Sequence, residues 1–112
     1  MLTDTDRAYI AGFFDGEGSI SLSPKQAQVR IPQKDPTILE EIQELTAMGT
    51  LYYDKPNGGS IISTWVVYRQ SDVVRFIRLI YPYVRCPTRR RKLRMAYYYI
   101  RAKQRRLHGK AA

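Results

Sequence analysis

Two carboxylates bracket a glycine in the stretch YIAGFFDGEGSI: Asp15 and Glu17, on either side of Gly16. The chain around them has a formal net charge of +9. Paired acids on a surface that otherwise attracts polyanions suggest a divalent cation, because hard cations take oxygen ligands and a basic field gathers phosphates. Other routes to chemistry are closed. Cys86 is the only cysteine and His108 the only histidine, so one chain cannot assemble a disulfide framework or a Cys/His zinc site. A Ser-His-Asp or Cys-His nucleophilic site is equally unexpected, since it would have to use His108, in the basic tail.

The positive charge is unevenly spread. All ten carboxylates lie at or before Asp72, while thirteen of the nineteen Lys and Arg residues come after it. The second half of the chain can therefore neutralise phosphates and release their counterions, which makes binding steeply salt-dependent. The alternative is a basic tail that only solubilises. Hydrophobic residues at 44% and charged residues at 26% describe an ordinary globular chain, and 112 residues give room for one modest core. We assign residues 1–106 to a single domain and 107–112 to a basic C-terminal tail. No apolar run approaches the ~18 residues of a membrane span, so no membrane partner is expected. The N-terminus MLTDTDR lacks the basic-then-apolar pattern of a secretory leader. The expected location is intracellular, in cytoplasm, nucleoid or an organelle matrix.

The elements that must position the acids follow from periodicity and punctuation. Thr3 and Asp6 have capping-box spacing, and a helix starting there runs through Tyr9, Ile10, Phe13 and Phe14 until Gly16 and Gly18 stop it. Ala8, Gly12 and Gly16 fall four residues apart, leaving one stripe of that helix almost without side chains. Another backbone can pack closely there. It belongs either to the same monomer or to a second copy, and in the second case the acids of two chains meet at a two-fold axis.

Alternation over residues 19–23 and 28–31 predicts a hairpin. If Ile20, Leu22, Val29 and Ile31 face the helices, period two sends Ser19, Ser21, Ser23, Gln28 and Arg30 to the other side, with Lys25 and Gln26 at the tip. Such a two-stranded ribbon fits the DNA major groove, where Arg can read guanine and Gln adenine. Asp35-Pro36 starts a second helix with Ile38, Leu39, Ile42 and Leu45 as its buried stripe and Gly49 as its C′ residue. A second hairpin, 50–53 and 61–68 around PNGG, adds Lys55, Asn57, Thr64 and Arg69 as DNA-binding candidates, and Lys34 joins them from the end of the first. Trp65 reads as core. Ser71-Asp72 caps a short helix ending near Pro82, and a last helix carrying Leu93, Ala96, Tyr97 and Ile100 dissolves into KQRRLHGKAA. Two hairpins with helices between them suit one antiparallel sheet covered on one face and open on the other.

The residues Ile10-Ala11-Gly12-Phe13-Phe14-Asp15-Gly16-Glu17-Gly18 resemble the signature of the LAGLIDADG homing endonucleases. The alanine, the glycines and both acidic positions match, with Gly in the place of the middle Ala, and the order of elements matches over nearly the whole chain. The resemblance implies an α+β fold with an αββαββα core, a four-stranded antiparallel sheet, helices on one face and a concave DNA-binding face on the other. One motif per chain implies a homodimer, joined through Ala8, Gly12 and Gly16. The implied activity is Mg²⁺-dependent cutting of both strands of double-stranded DNA at a long, near-palindromic site. Glu17 and the Gly16 carbonyl are then the metal ligands, with two or more Mg²⁺ per dimer. Gln33 matches the position near the attacking water, and Arg89 the basic residue near the scissile phosphate, with Arg90 and Arg91 as rivals. Asp15 matches a position that is more often structural. Two alternatives stand beside this: a non-cleaving relative that binds its intron RNA or DNA, and a small basic RNA-binding protein of ribosomal type. The latter has no reason to end a helix in Asp-Gly-Glu-Gly.

Overall fold

The computed structural model describes residues 2–23, 26–54, 59 and 61–111, with backbone alone for 108–111. Lys25, Lys55 and Asn57 lie outside the described residues. The chain opens with helix α1, Asp4–Glu17, whose first turn is closed by a capping box. Asp6 N–H donates to the Thr3 hydroxyl and Thr3 N–H to the Asp6 carboxylate, both at 3.0 Å, satisfying two of the amides a helix start leaves over. Gly16 does not stop the helix; Gly18 does, its N–H donating to Phe14 O at 2.8 Å.

Strands β1 (Ser19–Leu22) and β2 (Ala27–Gln33) form the first hairpin, and β3 (Thr50–Asp54) and β4 (Ile62–Val67) the second. All pairings are antiparallel, in the order β1-β2-β4-β3. β2 runs past Ile31 although it contains Pro32. Ser19 pairs with Arg30, so at Pro32 the strand has β4 alone beside it and can do without one N–H. Between the hairpins, helix α2 (Pro36–Thr46) begins at Asp35, whose carboxylate accepts from Thr37 N–H and is held below its usual pKa by that bond. Its left-handed C-cap is Ala47 (φ 54°), not the expected glycine. Gly49 (φ 89°) lies beyond it, where a side chain would collide with the Trp65 indole.

Helix α3 spans Gln70–Ile80, a 3-10 turn Tyr81–Tyr83 follows, and helix α4 spans Pro87–Ala111. Ser71 does not cap α3. The cap position is Arg69, with no side-chain cap bond, and Gln70 is put to another use. Its side-chain amide accepts from Ala27 N–H (3.0 Å) and donates to Ala27 O (2.9 Å) and Tyr68 O (2.7 Å), continuing the β2–β4 ladder beyond Val29↔Val67. α4 does not dissolve after Ile100; Lys, Gln, Arg, Ala and Leu are good helix formers and carry it on to Ala111.

The helices cover one face of the sheet. Trp65 on β4, Phe76 on α3 and Phe14 on α1 are fully buried and meet edge to face, with centroids 5.3 Å and 5.9 Å apart. Such pairs add about 0.5–1.5 kcal/mol each beyond their buried area. The indole N–H donates to Met48 O at 3.0 Å, so Trp65 is core, as its surroundings in the sequence suggest. Ile20, Val29 and Ile31 share this core, but Leu22, expected with them, is 42% exposed at the end of edge strand β1, where it lines an open groove with Thr88, Arg91, Lys92 and Met95 of α4. Leu39 and Ile42 bury the inner side of α2, with Ile38 and Leu45 half-buried at its margins.

Candidate nucleic-acid interface and metal site

Period two places Ser19, Ser21, Gln28 and Arg30 on the uncovered face of the sheet, where the register sets Ser19 beside Arg30 and Ser21 beside Gln28. In β4 the ambiguity of Trp65-Val66-Val67 resolves. Arg30↔Val66 and Pro32↔Thr64 put Thr64 and Val66 on the open side, while Ser63, Trp65 and Val67 face the helices. Thr64 is nearly buried and forms part of the floor of a groove of about 260 Å³. Gln28, Arg30, Tyr52 and Asp54 line that groove. Tyr52 and Asp54 were not foreseen, although alternation from Thr50 assigns both to this face. Their presence gives the groove a hydroxyl and an acceptor beside the Arg30 guanidinium.

The outer candidates divide. The Ser23 hydroxyl both accepts from Gln26 N–H (3.1 Å) and donates to Gln26 O (2.9 Å), so it closes the hairpin, while Gln26 is exposed at the tip. Lys34 is exposed where β2 ends, and Arg69 is exposed at the head of α3.

At the other end of this hairpin lies the junction of α1 and β1. The carboxylates there part company. Asp15 accepts from Arg85 N–H (2.7 Å) and Cys86 N–H (3.2 Å), tying the approach to α4 onto the end of α1. Glu17 is exposed. The last carbonyls of a helix lack intrahelical partners and sit at the negative end of its dipole, and the last turn of α1 carries no basic residue. A free carboxylate beside approachable carbonyls fits a hard divalent cation, with Glu17 and the Gly16 carbonyl as this chain's donors. Among the described residues no three His, Cys, Asp or Glu side chains gather around one point, so the remaining donors of such an ion come from water, substrate or another chain.

Of the three arginines that open α4, the structure separates one from its rivals. Arg89 donates through Nε to Gly18 O (3.0 Å) and through Nη1 to Cys86 Sγ (3.6 Å), so its guanidinium sits at the α1–β1 junction. Backbone N–H of Arg89 and the same guanidinium hold the Cys86 thiol pKa below its usual value. Arg90 is committed elsewhere, donating to Tyr81 O (3.0 Å) and Val84 O (2.9 Å) with its guanidinium 4.3 Å from the Tyr81 centroid. Arg91 is exposed along the β1 edge with Lys92 and Thr88. Gln33, at the end of β2, lies three residues past Arg30, the partner of Ser19, and so at the same end of the sheet as Glu17. Its Oε1 accepts from Lys34 N–H at 3.0 Å.

The stripe on α1 is not used inside the monomer. Ala8, Gly12 and Gly16 are exposed, and a Cβ added at either glycine meets nothing within 4 Å. Tyr9, 43% exposed, stands beside them.

A comparison with curated proteins by sequence gave no match. The fold is similar to that of the homing endonuclease I-CvuI, solved with its target: 22% identity, TM-score 0.70, 88% of this chain and 67% of that one. It is similar to the archaeal intron-encoded homing endonuclease I-Vdi141I complexed with DNA, at 27% identity and TM-score 0.60 over 71% of this chain and 56% of that one. It is also similar to the group I intron-encoded I-CeuI complexed with DNA, at 14% identity and TM-score 0.79 over 97% and 60%. This chain thus spans between about half and two thirds of the length of these proteins. The family described as "LAGLIDADG-like domain" matches residues 4–81, which hold α1 and its acids, both hairpins, α2 and α3. By that match the chain belongs to the LAGLIDADG family.

Proposed function

We propose that the protein is a sequence-specific double-strand DNA endonuclease that works as a homodimer with Mg²⁺, cutting a long, near-palindromic site. The observation that carries this reading is the exposure, on one short helix, of a bare glycine stripe and of Glu17 at its end, next to the polar face of the sheet. Two copies of α1 packed through Ala8, Gly12 and Gly16 bring two Glu17 side chains to one axis, and the open sheet faces then extend to either side along a duplex. Ser19, Ser21, Gln28, Arg30 and Gln26 face the bases, while Lys34 and Arg69 add contacts along the groove and backbone; Lys25, Lys55 and Asn57, outside the described residues, are candidates from the sequence.

In each protomer Glu17 and the Gly16 carbonyl would hold the ion, and Gln33 would orient a water by hydrogen bonding. When bound, Mg²⁺ supplies an activated water and neutralises charge on the departing oxygen. Arg89, fixed by Gly18 O, has N–H groups left over to meet the scissile phosphate. Asp15 is a positioning residue, since its bonds to Arg85 and Cys86 set where α4, and with it Arg89, begins.

Selection of cleaved sequences from a randomised duplex pool in Mg²⁺ tests the reading. A recovered near-palindrome supports it, and a wild-type protein that binds duplex DNA yet selects no cleaved sequence overturns it.

A further inference from the structure

The helical side of the molecule carries a second concentration of arginine and aromatic side chains. A groove of about 280 Å³ runs between the end of α3 and the middle of α4, floored by Ile77 and walled by Arg78, Tyr81, Arg94, Tyr97 and Tyr98. No strand residue lines it, so it is separate from the open sheet face.

Its walls hold one another in place. Arg78 donates to the Tyr97 hydroxyl (3.0 Å) with its guanidinium 5.6 Å from that ring's centroid, and Arg94 donates to the Tyr81 hydroxyl (3.3 Å). Tyr97 and Tyr98 meet edge to face, centroids 5.5 Å apart, and Tyr98 is 60% exposed. Farther along α4, Arg101 and Arg105 continue the stripe begun by Arg94, Tyr97 and Tyr98, because steps of three and four return to one helix face. From Arg94 to Arg105 the stripe extends ~17 Å. The hydrogen bond from Arg78 and the charges of Arg78, Arg101 and Arg105 hold the Tyr97 phenol below its ordinary pKa. No carboxylate lines the groove, and Asp72 on α3 is engaged by Arg75 at 3.2 Å.

We propose that this groove and the arginine stripe beyond it bind single-stranded nucleic acid, with bases stacked on Tyr98 and Tyr97 and phosphates met by Arg94, Arg101 and Arg105. Tyrosine and arginine also populate protein interfaces, but those close around an apolar centre. Here the apolar lining is Ile77, Pro82 and the faces of tyrosine rings, and both charged side chains that line the groove are arginines, which favours a polyanion with stacking bases. Ring faces demand unpaired bases, since a duplex hides the faces it stacks, and pre-positioned side chains lower the ordering cost of binding. The inference does not rest on DNA cutting. α4 lies outside residues 4–81, the span that matches the family model.

The test is fluorescence anisotropy on the full chain with a labelled 12-nucleotide RNA, DNA of the same sequence, and the corresponding duplex. Tyr98→Ala is expected to weaken single-strand binding about tenfold, within the range of one lost base stack, and to leave duplex binding unchanged. Tyr98→Phe, which keeps the ring, restores it. Arg101→Gln flattens the salt dependence for single strands, whereas Arg30→Ala on the sheet affects the duplex alone. Tighter binding of RNA than of DNA identifies RNA as the source, and equal affinities identify single-strandedness itself as the property recognised. The proposal is overturned if the wild type binds no single strand, if Tyr98→Ala binds as the wild type does, or if Arg30→Ala abolishes single-strand and duplex binding together.

Discussion

The two faces of α1 are filled by opposite rules. On the inner side Ile10, Ala11 and Phe14 are wholly buried, and Gly18 at the end has no room for a side chain because one would strike the Phe14 ring. On the outer side Ala8, Gly12 and Gly16 face open space. A glycine within a helix costs roughly 0.5–1 kcal/mol relative to alanine, and nothing inside the monomer offsets that at Gly12 or Gly16. The acids divide in the same way: Asp15 is consumed by two backbone N–H groups, and Glu17 is left exposed. Glycine against a ring is explained by the fold; glycine facing open space is what the proposed dimer would explain.

Substitutions can break or sharpen that contrast. Phe14→Ala on the inner face should cost about 3–5 kcal/mol in denaturant unfolding, because it opens a cavity at the junction of α1, α3 and the sheet. A loss under 1 kcal/mol would mean the inner face is not what fixes the helix. Glu17→Gln should leave the melting temperature and duplex binding as they are, while slowing Mg²⁺-dependent cleavage by about 10²–10³-fold, the scale of removing one charge-stabilising group. Undiminished cutting would remove Glu17 from the site. Asp15→Ala should destabilise by about 1.5–3 kcal/mol through its lost charge-assisted bonds, and its cleavage defect should shrink if Arg89 is held in place by other means. Gly12→Ala is the subtlest. The isolated fold should gain about 0.5–1 kcal/mol while self-association measured by sedimentation weakens. Unchanged association would leave the outer face without an occupant.

Much of this was legible because it is local. The Thr3–Asp6 box, the Asp35-Pro36 start and the bare stripe on α1 each depend on residues within a few positions of one another, and all appear as the spacing predicts. What misled were residues whose use is decided from far away. Ser71 looks like a cap by type, but the head of α3 is set by Gln70 reaching Ala27, 43 residues distant. Leu22 alternates correctly and is still exposed, since at the end of the edge strand α4 leaves an open groove beside it rather than a closed core. Which of Arg89, Arg90 and Arg91 reaches the α1–β1 junction could not be read by counting, because Arg90 is drawn back onto the Tyr81–Val84 turn, whose shape the sequence does not declare. Tyr52 and Asp54, by contrast, could have been found by following the alternation out of Thr50.

The clasp between Gln70 and Ala27 has a bearing on how such a protein could change its target. By terminating the ladder with a side chain, it fixes where β2 begins whatever the preceding turn contains. Lengthening a loop costs little, about 0.6 kcal/mol per doubling, so the connection between Ser23 and Gln26, which close the hairpin, is a place where the chain can be extended without shifting the strand register. The fold thus separates a frame whose register is set by hydrogen bonds from a connection that can vary, and on the proposed function recognition can drift there while the junction that holds Glu17 stays as it is.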